Sequence, residues 1–169
     1  MNNKKHYHVE HIKNYQHVTF DKQNKDIINR IKKYGYRNCK KDIIRTWITE
    51  SIKNFDIGFA YFNTEIIETK NNEGNIVTTE KYRPCAYLII EKISNVKVHL
   101  SLLCSLSTTE HLGTKLLDML FKYCNDNNYK TISLDSINAK TTRFYTNKGF
   151  IIKPSIKKLI STVHMEKNL

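Results

Sequence analysis

Residues Asn138 to Phe150 read NAKTTRFYTNKGF, and this stretch decides how the chain folds. It is polar and basic apart from one aromatic pair, Phe144-Tyr145. Asn138 suits a helix N-cap, because its side-chain oxygen can accept a hydrogen bond from an orphan backbone N–H. Gly149 suits the far end, because glycine takes the left-handed backbone that stops a helix without a Cβ penalty. Phe150, Ile151 and Ile152 then form an apolar run that re-enters a sheet. These devices account for the asparagine, the glycine and the run, but not for a tyrosine beside a phenylalanine on so short a helix. One of the pair should face the core and the other the open end of the sheet, where a tyrosine can act as a proton donor.

Working outward, TISLDS just upstream is a strand, and LISTVHMEKNL downstream is a last strand. Before them, HLGTKLLDMLFKYCNDN places Leu112, Leu116, Leu117, Leu120, Phe121 and Cys124 on one helical face. CAYLIIEKI and VKVHLSLLCSL are two longer strands, and IGFAYFN is another. EIIETKNNEGNIVTTEKY reads as two short strands around an Asn/Gly turn. DKQNKDIINRIKKYG is a helix ending at Gly35, and KKDIIRTWITESIKNF is a second, with Ile43, Ile44, Trp47, Ile48 and Ile52 as its apolar stripe. HYHVEHI alternates as a first strand. The expected order is β-α-α-β-β-β-α-β-α-β-β, with antiparallel middle strands and a parallel β-α-β unit over residues 97–136. No repeat, low-complexity block or linker divides the 169 residues, so residues 1–169 are expected to form a single α/β domain.

Composition narrows the class. At 40% hydrophobic residues with 5 glycines and 2 prolines, the chain is neither collagen-like nor broadly disordered. Cys39, Cys85, Cys104 and Cys124 show no metal-site or redox spacing, which predicts free thiols in a reducing compartment. The N-terminus lacks an apolar signal segment and no run approaches a membrane span, so a soluble, cytoplasmic protein without membrane partners is expected. The formal charge of +12 favours anionic partners, but the lysines are spread along the chain rather than massed in a stripe. His6, His8, His11 and His17 have no paired carboxylate or cysteine and are read as surface residues, not a metal site.

Between the strand ending near Leu103-Cys104 and the helix that follows lies SLSTTEHLG, rich in serine and threonine. The first turn of such a helix presents unpaired N–H groups and the positive end of its dipole, a ready anion site. Gly113 sits where backbone could approach a phosphate. Ser107 and Glu110 alternatively form an ordinary capping box.

Taken together, these stretches resemble the GNAT superfamily of acyl-CoA-dependent N-acyltransferases. The cofactor motif of that family, Arg/Gln-x-x-Gly-x-Gly/Ala between strand and helix, falls on TTEHLG. Its next motif, Asn-x-x-Ala-x-x-Phe/Leu-Tyr-x-x-x-Gly-Phe, falls on Asn138, Thr141, Phe144, Tyr145, Gly149 and Phe150. The resemblance covers roughly residues 84–169 well and the opening only by element order. It implies a mixed, mostly antiparallel sheet splayed between its fourth and fifth strands and flanked by helices on both faces. Acetyl-CoA would lie in the splay as co-substrate. Backbone near Leu102 and Leu103 would pair with the pantetheine arm. Amides of Thr108, Thr109, Glu110, His111, Leu112, Gly113 and Thr114 would hold the pyrophosphate. Asn138 would touch the arm near the sulfur, and Tyr145 would protonate the departing thiolate.

Three positions depart from the motif: Thr108 replaces Arg/Gln, His111 replaces the first glycine, and Glu110 sets a negative charge near the pyrophosphate. The places where the family often carries its base hold Lys97 and Ser133. By strand alternation Lys97, His99 and Ser101 share one face, and His99 is the base candidate, since imidazole titrates near neutral pH. Asp135 on the next strand is the alternative. The expected function is N-acetyl transfer from acetyl-CoA to a primary amine, either a protein lysine or N-terminus or a small amine. The rival readings are a binding module that has kept this fold without turnover and a basic nucleic-acid-binding domain. The scattered lysines and the lack of a base-stacking platform argue against the second. Edge strands of such a sheet can pair between subunits, which allows an oligomer.

Overall fold

The computed structural model describes residues 15–35, 39, 45–70, 73–105, 111–154 and 162–169. Their elements are β1 (Tyr15–Phe20), α1 (Lys25–Tyr34), α2 (Arg45–Asn54), β2 (Ile57–Lys70), β3 (Ile76–Ser94), β4 (Lys97–Ser105), α3 (Leu112–Asp126), β5 (Thr131–Ser136), α4 (Ala139–Thr146), β6 (Ile151–Ile152) and β7 (Val163–Asn168). They build a seven-stranded sheet in the order β1-β2-β3-β4-β5-β7-β6. All neighbours run antiparallel except β4 and β5, which are parallel because α3 carries the chain across between them.

Two apolar cores lie on the two faces. One packs α3 against Leu88, Ile90, Val98, Leu100, Ile132, Leu134 and Met165, and takes in Tyr145 and Phe150. The other packs Ile28 and Ile31 of α1 and Ile48 and Ile52 of α2 against Phe62, Tyr87, Ile89, Leu102 and Cys104. β4 serves both cores because it bulges. Ile90 pairs with Leu100 and Ile89 with Leu102, so Ser101 is left without an opposite residue. The extra residue turns Leu102 and Cys104 to the α1/α2 face, whereas Val98 and Leu100 face α3.

The element order matches the sequence reading, with local corrections. HYHVEHI lies outside the described residues, and the described first strand is Tyr15–Phe20, further along. The two short strands expected around the Asn/Gly turn are the ends of β2 and β3, which pair from Ile57–Ile90 to Lys70–Ile76 with one bulge at Cys85. Trp47 is 38% exposed rather than part of a buried stripe, and Ile43 and Ile44 lie outside the described residues. Ile151 and Ile152 pair with β7 as expected, yet their side chains are exposed, because β6 is the sheet edge.

The cysteines require the largest correction. Cys39 and Cys104 form a disulfide, so only Cys85 and Cys124 of the four are free thiols. A sequence separation of 65 residues concealed this pair, and the β4 bulge explains it: Cys104 is turned toward the α1–α2 side, where Cys39 lies buried.

Candidate functional site

The end of α4 is set by its own backbone. Phe150 N–H donates to Tyr145 O (3.1 Å) and Gly149 N–H donates to Thr146 O (2.9 Å), with Gly149 at φ +86°. These two bonds form a Schellman stop, and its usual apolar contact is present as Phe150 meeting Tyr145 edge to face, 5.6 Å between ring centroids. At the other end Asn138 Oδ1 accepts from Thr141 N–H (2.9 Å), as a cap should. The helix of 8 residues that carries Tyr145 is therefore capped at both ends.

Tyr145 is the member of the aromatic pair that faces the core, and Phe144 packs half-buried against the same cluster. Yet Tyr145 also lines a cleft. β4 and β5 pair only from Lys97–Thr131 to Leu100–Leu134, although β4 runs on to Ser105 and β5 to Ser136. A cleft of about 290 Å³ occupies the gap. His99, Ser101, Leu102 and Leu103 line it from β4, Asp135 from β5, Thr141 and Tyr145 from α4, and Trp47 and Glu50 from α2. No described residue hydrogen-bonds the Tyr145 hydroxyl, and burial holds its pKa well above the ordinary phenol value. It is thus a neutral donor at any physiological pH.

His99 Nδ1 lies 3.1 Å from Ser133 Oγ, and its Nε2 lies 3.9 Å from Asp135 Oδ2. Burial is the main cause holding its pKa below the usual imidazole value, with Asp135 and Glu91 opposing the shift. It is neutral near pH 7 and able to take a proton. The places expected for a family base are occupied otherwise: Lys97 is ion-paired with Glu166, and Ser133 is buried against His99 and Val98 O.

Of the expected cofactor residues, Leu102 and Leu103 lie on the stretch of β4 beyond its pairing with β5. Thr108, Thr109 and Glu110 lie outside the described residues. α3 begins at Leu112 with His111 as its N-cap, and the Ser107–Glu110 capping box lies outside the described residues. His111 stands at φ 51°, ψ 32°, the left-handed region, and it occupies the place where the motif carries a glycine. Leu112, Gly113 and Thr114 form the first turn of α3, whose N–H groups have no intrahelical acceptor. A Cβ on Gly113 would meet Ser105 Cβ at 3.7 Å and Phe144 at 4.0 Å, so among the described residues nothing demands glycine there. Ser105 Oγ, buried beside it, has no partner among the described residues. Among the described residues, an unpartnered Ser105 Oγ, first-turn amides without an intrahelical acceptor and a β4 edge beyond its pairing with β5 together fit a phosphate-bearing thioester such as acyl-CoA. Asn138 is engaged as the helix cap.

Sequence reasoning missed His164 and Glu166, and it undervalued Asp135. His164 Nδ1 lies 2.9 Å from Asp135 Oδ1, and its Nε2 lies 3.5 Å from Glu166 Oε1. Alternation in VHMEKN does place His164 and Glu166 on one face, but only the pairing register sets them opposite Asp135 and Ser133. Trp47, which helical periodicity assigned to the apolar stripe of its helix, also reaches the cleft, as does Glu50.

No protein-family model matches the sequence, and no curated protein does. Solved structures do. An acetyltransferase from Streptococcus agalactiae superposes with TM-score 0.64 at 13% identity, over 92% of this chain and 98% of that one. A GNAT-family N-acetyltransferase from Escherichia coli in complex with CoA gives TM-score 0.61 at 10% identity, over 96% of this chain and 85% of that one. A GNAT-family acetyltransferase from Staphylococcus aureus gives TM-score 0.59 at 19% identity, over 92% and 99%. The chain has the GNAT fold. Among the described residues no helix is long and apolar enough to cross a membrane.

Proposed function

We propose that this protein is an acyl-CoA-dependent N-acyltransferase that moves an acetyl group to a primary amine by direct attack. The observation that carries the reading is the end of β4–β5 pairing at Leu100–Leu134, with Tyr145 and His99 both lining the cleft beyond it. In this reading residues 1–169 form one such domain. CoA supplies an activated thioester and a thiol leaving group. The free edge of β4 at Leu102 and Leu103 holds the arm, and the α3 amides from His111 to Thr114 hold the phosphates. His99 Nε2 accepts the proton of the acceptor ammonium, and the Tyr145 hydroxyl supplies one to the departing sulfur. Trp47 and Glu50 of α2 wall the acceptor side. The acceptor is a protein lysine or N-terminus or a small amine.

The test is calorimetric titration of acetyl-CoA into the wild type and Gly113→Asp. Micromolar binding that the variant loses, followed by acetylation in an amine screen, supports the reading. Binding without turnover on any amine would leave a binding module. No binding to the folded wild type would remove the acyl-CoA reading altogether. Trp47 is the single tryptophan, so its emission reports acceptor binding in the same samples.

A further inference from the structure

We propose that Asp135 and His164 form a positioning pair for His99, fixing its ring with Nε2 toward the cleft and setting the pH below which that nitrogen no longer accepts a proton. The proposal rests on the acyltransferase reading for its purpose, but not for its geometry.

Three strands bring the groups together. His99 stands opposite Ser133 in the parallel register of β4 and β5. Asp135 stands opposite His164, and Ser133 opposite Glu166, in the antiparallel register of β5 and β7. Ile132, Leu134 and Met165 alternate with them into the α3 core, so the polar set occupies the other face.

The proposal assigns His99 the Nδ1–H tautomer. With its own proton on Val98 O, 3.4 Å away, Ser133 Oγ can accept from His99 Nδ1 at 3.1 Å. In this tautomer His99 carries its proton on Nδ1 and keeps the Nε2 lone pair free. Asp135 Oδ2 stands 3.9 Å from that nitrogen, too far to hydrogen-bond it and near enough to pair with it once it is charged. When a proton leaves the acceptor nitrogen for Nε2, the electron pair stays on the amine and the new positive charge faces Asp135. The carboxylate is kept there by His164 Nδ1 at 2.9 Å. His164 is in turn flanked by Glu166, which Lys97 holds.

The charged and titratable groups facing His99 come from every strand around it. Asp135 from β5 and Glu91 from β3 favour the imidazolium, whereas His164 from β7 and Lys97 from β4 oppose it. Glu50 of α2 lines the same cleft. The two members of the pair thus act in opposite senses, which a merely structural role would not produce.

The experiment is an NMR titration of the histidine Cε1–H signals of the full chain, with no acyl donor present. His99 is assigned by the signal that His99→Gln removes. Asp135→Asn is expected to move the His99 midpoint down, and His164→Gln to move it up, each by roughly half a pH unit or more. In acetylation assays the acid limb of kcat/KM should move the same way in each variant, with a lower plateau for Asp135→Asn. An unchanged His99 midpoint in folded Asp135→Asn, or both variants shifting it in one direction, would overturn the proposal. Absence of acetylation with every amine would instead count against the acyltransferase reading and leave the titration result intact.

Discussion

Leu100 and Leu134 are the last residues at which β4 and β5 pair, and both side chains are buried under α3. That single pair anchors the fork. One residue further on, the bulge at Ser101 turns β4 toward the other face, while β5 hands the chain to the cap of α4. The cleft is the space between these two departures.

Gly113→Asp should fold and lose acyl-CoA. Among the described residues a Cβ there meets only ordinary contacts, so stability should change little. A carboxylate at the first turn of α3 would repel a phosphate, and binding should weaken at least about tenfold, or about 1.4 kcal/mol. Gly113→Ala, which adds bulk without charge, separates the two causes in the same calorimetry.

Tyr145→Phe should leave the melting temperature almost unchanged, because no described residue hydrogen-bonds the hydroxyl and the ring contacts to Phe144 and Phe150 remain. Turnover should fall by about 10²-fold or more if the hydroxyl is the proton donor. Steady-state kinetics with a fixed amine would show the loss in kcat rather than in the KM for acyl-CoA.

The Cys39–Cys104 bridge closes a separation of 65 residues. Its loss in Cys104→Ser should cost about 4 kcal/mol by loop entropy. Burial pushes the Cys85 thiol up to about 11 and the Cys124 thiol up to about 12, so neither should react readily in the folded protein. Alkylation of the unfolded, unreduced chain should add two groups, and four after reduction. Four before reduction would mean that the protein carries no bridge in its own compartment.

Glu166 is held below its ordinary value of 4.5, first by Lys97 and then by His164. A carboxyl depressed in this way binds fewer protons folded than unfolded, so its contribution is present above that value and is lost on acidification. Glu166→Gln should therefore lower the melting temperature at pH 7, and the gap from wild type should close below about pH 4.5. A gap that persists at pH 3 would point to packing instead.

His111→Gly should stabilise the protein, by up to about 1 kcal/mol, because His111 sits in the left-handed region that penalises a Cβ. Thermal unfolding checks it. An unchanged or lower melting temperature would show that the histidine ring makes contacts that offset its backbone cost.

Much of this protein was legible without coordinates. The caps at Asn138 and Gly149, the apolar face of α3 and the strand TISLDS depend on neighbours within a few residues, so periodicity and capping chemistry suffice to locate them. The order of elements and the parallel β4–β5 pair follow from the connection through α3. What the sequence could not decide depends on register. The bulge at Ser101 shifts which β4 residues face which core, and a one-residue shift is invisible to alternation. The same shift brings Cys104 to Cys39, and the pairing of β5 with β7 brings His164 to Asp135. Local patterns place a side chain on a face; only the packed sheet chooses what stands opposite it.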